Sequence, residues 1–176
     1  MALLPIIEAP HPTLSKKARE VNPDEFGPAL VQLLDDMAET MYDAPGVGLA
    51  APQVDDSRRI LVADPSNNDD NAPTLYKMVN PTIISKSAEL ISYEESCLSV
   101  PEFYLNVKRF QEITVEWKDG MGITHREVFS GFPSIVLQHE MDHLEGITLL
   151  DKSSKFKRSR YMSKVKKQRK KAKARK

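Results

Sequence analysis

The sequence predicts an α+β fold: antiparallel sheets packed around a central metal-binding helix, with a helix in the N-terminal half and a basic C-terminal helix. Three observations carry this. Two helix-like stretches, at residues 26–46 and 132–146, bracket a run of short strand-like segments. Those segments are joined by turn residues, so neighbouring strands run antiparallel. The last twenty-five residues are basic and contain no acid.

The elements follow in order. In FGPALVQLLDDMAETMYDAPG (26–46), Phe26, Leu30, Leu33, Leu34, Met37 and Met41 recur every three or four residues, and Ala-Pro-Gly ends the helix. VGLAAPQV (47–54) is small and loop-like. RRILVAD (58–64) reads as a strand and PSNNDDNAPT (65–74) as an exposed polar loop. LYKMVNP (75–81) and AELISYEESCL (88–98) are further strands. QEITVEWKD (111–119) alternates Ile113, Val115 and Trp117 with polar residues, the mark of a half-buried strand. GMG (120–122) turns the chain into its hairpin partner, ITHREVFSG (123–131). FPSIVLQHEMDHLEG (132–146) is helical, with Pro133 in its first turn and Gly146 at its C-terminal end. The tail is expected to be helical at its start and frayed at its end.

With 176 residues, 40% of them apolar, one domain with a proper core is expected. No apolar run is long enough for a membrane-spanning helix, so no membrane partner is expected. The start, MALLPIIEAPHP, lacks the basic region of a secretory signal. A single cysteine, Cys97, forms no intramolecular disulfide and fits a reducing compartment, so cytoplasmic localisation is expected. The net charge of zero hides a division. Residues 152–176 hold 14 Lys or Arg, whereas residues 1–151 hold all 25 acids and 11 basic residues. The body, residues 1–151, is expected to be the catalytic unit, and the tail, residues 152–176, an arm for a polyanionic partner.

The chemistry is concentrated in QHEMDHLEG (138–146). On a helix, His139 and His143 share one face and can both reach one ion. Glu140 projects nearby, as the general base of an H-E-x-x-H motif does. A catalytic divalent ion takes three protein ligands and keeps a position open. The longer H-E-x-x-H-x-x-G-x-x-H pattern matches through Gly146 and fails at Leu149. Glu145 and Asp151 are too close in sequence to fold back onto the ion, and no acid, histidine or cysteine follows them. The third ligand therefore comes from upstream. Among His11, His125, Cys97 and the acids, Cys97 is the best candidate, because it ends a strand where a side chain can meet a helix. Spacing alone does not decide between them.

GVGLAAPQ (46–53), ESCLSVP (95–101) and QHEMDHLEG (138–146) resemble, in order and spacing, the three motifs of the peptide deformylases; HPTL (11–14) resembles their N-terminal segment. The resemblance spans about residues 5–150. It implies that Cys97, His139 and His143 bind one divalent ion per chain, with Fe2+ native and Zn2+, Ni2+ or Co2+ able to take its place. It implies that Glu140 is general base and acid, that Gln53 and the Leu98 backbone N–H stabilise the oxyanion, and that Gly48 lies beside that site. The implied reaction removes the N-formyl group from formyl-methionine on nascent chains, with hydroxide generated at the ion attacking the formyl carbon. One departure stands out: Ser96 occupies a position where the family usually has glycine, a cost if the backbone there needs positive φ. In this family C-terminal extensions can dock on the ribosome, so contact between the tail and ribosomal RNA is expected.

The residues suggest a methionine pocket as well. Phe132, Ile135 and Val136 lie seven, four and three residues before His139, on its face, with Val47 opposite. Glu95 and Arg109 are a candidate ion pair behind the ligands. Two competing readings are a metallopeptidase, against which the missing downstream ligand argues, and a non-catalytic ribosome-binding module, against which the intact Glu140 and ligand set argue.

Overall fold

The computed structural model describes residues 2–66 and 73–176, so most of the polar loop expected at 65–74 lies outside the described residues. The first helix, α1 (Pro28–Asp43), leads into strands β1 (Gly48–Ala50) and β2 (Ile60–Ala63). Next come β3 (Tyr76–Lys86), β4 (Leu90–Cys97), β5 (Val100–Phe110), β6 (Glu112–Lys118) and β7 (Thr124–Ser130). The chain ends in α2 (Phe132–Leu144), α3 (Leu149–Lys152) and α4 (Lys155–Ala174).

Every strand pair is antiparallel, as expected. One sheet has the order β1-β2-β3-β6-β7, and β4 and β5 form a separate two-stranded sheet. Strand alternation builds two cores from one sheet. Leu61 and Ala63 of β2 face one side, where they pack with Val136, Leu137, Met141 and Leu144 of α2. Ile60 and Val62 face the other side and pack with Leu30, Leu34, Met37 and Met41 of α1. β2 is thus covered on both faces, which explains its unbroken apolar run. α2 lies against the sheet and below the β4–β5 hairpin, so both walls of the later site are rigid elements.

Three differences from the sequence reading have physical causes. The loop-like 48–50 stretch pairs with residues 61–63 as an edge strand, too short and small-residued to signal itself. β5 was not expected, because its alternation is broken: Cys97 pairs with Val100 while Glu95 pairs with Leu105, leaving residues 101–104 as a bulge. The tail is helical to Ala174 rather than frayed, as suits a run of Lys, Arg, Gln and Ala. Its first turns are docked: Tyr161 is buried, packs edge-on against Phe103 and donates its O–H to the Pro101 carbonyl at 3.0 Å.

Candidate active site

α2 begins at Gly131, whose φ of 69° sets the entry turn, and Pro133 occupies its first turn. It ends before Gly146, where φ is 73° and a Cβ would meet the Ser15 backbone within 2.8 Å. Between these limits His139 and His143 stand one turn apart, with ring centroids separated by 5.2 Å. Cys97 arrives from the end of β4, its Sγ 3.3 Å from Nε2 of His143. One donor atom from each of Cys97, His139 and His143 lies within 4.8 Å of the other two. His11 and His125 are elsewhere. His11 accepts from the Thr13 N–H at 3.3 Å, and His125 stacks on Trp117 and pairs with Asp119 at 2.9 Å.

The alternation of β4 explains what stands behind these three donors. Glu95 and Cys97 are two residues apart and both buried toward α2, whereas Glu94 and Ser96 are exposed. Nδ1–H of His139 donates to Glu95 Oε1 at 2.8 Å, which leaves Nε2 for an ion. Arg109 grips Glu95 with two hydrogen bonds of 2.8 Å and reaches Asp142 at 2.5 Å. Glu95 and Arg109 are each 5% exposed, so this is the interior pair that the sequence raised as a candidate. Burial works against the Glu95 carboxylate, but its hydrogen bonds to Arg109 and His139 hold its pKa below the usual range. Burial also opposes charge on His139, and its contacts with Cys97 and Glu95 outweigh that and hold it well above ordinary histidine. Burial, helped by the charges of His139 and Arg109, drives His143 well below it, so its imidazole is neutral and free to bind metal.

Glu140 sits one residue along α2 from His139 and is buried. Desolvation, reinforced by Glu95 and Asp142, pushes its carboxyl up to about 7, against the opposing pull of His139 and Arg109. Its Oε2 has no protein hydrogen-bond partner among the described residues. Gly48 lies directly against it, and a Cβ there would fall within 2.8 Å of the carboxyl carbon. Gln53 is fixed by its carbonyl oxygen, which accepts from the Ala50 N–H at 2.9 Å. Its amide N–H2 points toward Cys97 Sγ at 3.6 Å and the Ser99 hydroxyl at 3.2 Å.

Val47, Gly48, Gln53, Cys97, Leu98 and Glu140 line a single cleft of about 440 Å3. Phe132, Ile135, Val136 and His139 line it too, while His143 is fully buried behind it. The residues of the three motifs and of the expected methionine pocket are thus brought together here, with His143 just behind the lining, whereas His11 and His125 are not. Ser96 keeps a negative φ and exposes its side chain at the cleft, so serine carries no left-handed strain at that position.

The sequence reading missed Ser99, which is fully buried beside Gln53, and Gln138. Gln138 joins the backbone N–H and C=O of Phe110 to α2, at 3.1 and 2.9 Å. It also missed the outer walls: Tyr93, Glu94, Glu102 and Tyr104. Period-two alternation from Cys97 would have marked Glu95 and Ser99 as neighbours of its thiol; nothing local marks Gln138.

Residues 3–159 match the polypeptide deformylase family. The chain belongs to that family. A peptide deformylase of Erythrobacter litoralis is 42% identical over 96% of this chain and 98% of its own length. Peptide deformylase 2 of Xanthomonas axonopodis pv. citri is 46% identical over 97% and 98%. Among solved structures, the peptide deformylase of Ehrlichia chaffeensis in complex with actinonin superposes with a TM-score of 0.87. It is 37% identical, over 96% of this chain and 98% of that one. A peptide deformylase from Legionella pneumophila gives 0.85 at 38% identity, over 99% of each chain. Membership makes this chain a metal-dependent hydrolase that removes N-formyl groups, in a family acting on formylmethionyl peptides. Cys97, His139 and His143 form a group that could hold the metal, and sulfur with two imidazoles suits zinc and ferrous iron alike. No helix among the described residues is long and apolar enough to cross a membrane.

Proposed function

We propose that Cys97, His139 and His143 hold one divalent ion, natively Fe2+, and that this centre deformylates the formyl-methionine of nascent polypeptides in the cytoplasm. The observation that carries the reading is the convergence of these three donors beside Glu140, at the floor of one cleft. When bound, the ion supplies Lewis acidity, which polarises the formyl carbonyl and lowers the pKa of water.

The chain's residues do the rest. Glu140 takes the proton released as water attacks the formyl carbon, and returns it to the departing amine. A carboxyl held near 7 by burial suits a group that must both accept and give at neutral pH. Gln53, its carbonyl tied to Ala50, offers its N–H2 to the oxygen that gains negative charge. The Leu98 backbone N–H, one residue past the thiol ligand, is the second donor. Phe132, Ile135, Val136 and Val47 wall the methionine side chain; Gly48 leaves room for it beside Glu140. Arg109, Glu95 and His139 form a chain that fixes one ligand's ring.

Residues 1–151 form the catalytic unit in this reading, and residues 152–176 the arm that meets ribosomal RNA. Lys166, Lys167, Lys170 and Lys171 of α4 have no ion pair among the described residues, which supports a polyanionic partner. Replacing these four with Glu is expected to abolish ribosome co-sedimentation at low salt; unchanged binding would refute the arm's role.

The central test is anaerobic purification with metal analysis and a deformylation assay on one sample. About one iron per chain and release of formate from formyl-Met-Ala-Ser are expected. A metal-free protein that is equally active overturns the reading.

A further inference from the structure

The cleft that holds the proposed metal centre is walled by four glutamates and, among the described residues, by no lysine or arginine. Glu95 and Glu140 belong to its floor. Glu94 and Glu102 are exposed residues of its lining, and in the deformylase reading they face the peptide that follows formylmethionine. Glu94 has no ion pair among the described residues. Glu102 differs, because α4 holds it.

Glu102 sits in the β5 bulge with a φ of 59°, a left-handed backbone that turns its side chain out of the strand's alternation. The helix fastens this bulge at three consecutive residues. Tyr161 O–H donates to the Pro101 carbonyl at 3.0 Å, Lys164 Nζ donates to Glu102 Oε2 at 2.8 Å, and the Tyr161 ring packs on Phe103 at 5.3 Å. Pro101, Glu102 and Tyr104 of the same bulge line the cleft. Pro101 and Glu102 thus take part in both the cleft lining and the contact with the basic helix.

We propose that Glu102 is a specificity-determining residue that reads the charge of the peptide downstream of formyl-methionine, and that Lys164 is a positioning residue that sets the strength of this reading. With Lys164 in place, Glu102 is held and half-neutralised, so the rim tolerates acidic and basic peptides more evenly. Without Lys164, two free carboxylates face the leaving peptide. The rim then favours lysine and disfavours glutamate two or three residues after methionine. Tyr161 keeps the bulge where Lys164 can reach Glu102. This rests on the deformylase reading of the cleft.

The test uses full-length, metal-loaded protein and three formyl peptides: formyl-Met-Ala-Ser, formyl-Met-Ala-Lys and formyl-Met-Ala-Glu. Formate release gives kcat/KM for each, read as the Lys-to-Glu ratio. For Lys164→Ala the ratio is expected to rise about two- to five-fold over wild type, carried by KM. Glu102→Gln is expected to lower the ratio below wild type, and the double variant should match Glu102→Gln alone. The differences should shrink at high salt, where exposed charges are screened. Lys164→Arg, which keeps the charge, should restore the wild-type ratio. If wild type releases no formate from formyl-Met-Ala-Ser, the deformylase reading fails and the rim is not at issue. If that peptide is processed and the Lys-to-Glu ratio is the same in all variants, the rim proposal is overturned. A purely structural role for Lys164 also overturns it, and would show as a lower Tm with no change in the ratio.

Discussion

The carboxyl group of Glu140 lies against the Cα of Gly48, so closely that a single methyl group there would come within 2.8 Å of the carboxyl carbon. The glycine is needed for space rather than for its dihedral angles, since its φ is not in the left-handed region. Gly48→Ala is expected to push Glu140 aside and lower kcat/KM about 10²-fold or more, within the range that general acid–base catalysis contributes. Circular dichroism should show an unchanged fold. Full activity in a folded variant would remove Glu140 from the proton path.

Glu140→Gln separates chemistry from binding of the ion. Glu140 is not among the three clustered donors, so metal content should stay near wild type while kcat falls about 10²–10⁴-fold. Loss of metal in parallel with activity would instead make Glu140 a ligand.

The same side chain predicts a pH dependence of stability in metal-stripped protein. Its folded pKa is raised to about 7 from an ordinary 4.5, so the unfolded chain releases this proton first. Stability from this group is complete below about 4.5 and is lost as pH rises through about 7, at no more than about 1.4 kcal/mol per pH unit. Urea titrations of stripped wild type and Glu140→Gln between pH 4.5 and 8 should diverge, wild type losing more. Parallel curves would contradict the assigned burial.

Arg109 and Glu95 neutralise each other out of water, and removing one strands the other. Arg109→Met is expected to cost about 3–5 kcal/mol, because Glu95 keeps its buried charge with only His139 as partner. Ion affinity should fall about 10- to 100-fold as the His139 ring loses its fixed orientation. The double variant Arg109→Met, Glu95→Gln should recover part of the stability but not the affinity. Denaturant curves and chelator competition measure the two separately.

Leu137 tests the support beneath the ligands. It lies on α2 two residues before His139 and is fully buried against the sheet. Leu137→Ala should cost about 2–5 kcal/mol, measured by urea unfolding, with the spread set by how far the cavity collapses.

What the sequence determined by itself was local. The period of Leu30, Leu34, Met37 and Met41 produces α1, the alternation of Ile113, Val115 and Trp117 produces β6, and helical geometry places His139, Glu140 and His143 together. Elimination along the chain made Cys97 the best upstream ligand, and three ordered motifs pointed to the family. Tertiary structure decided what depends on contacts distant in sequence. It decided that β1 is a strand, because its partner is β2, and that β5 carries a bulge to which α4 is fastened. It also tied Glu95 to His139, forty-four residues away, and Glu102 to Lys164, sixty-two away. Periodicity reports which face of one element is apolar; it carries no information about which other element that face will meet.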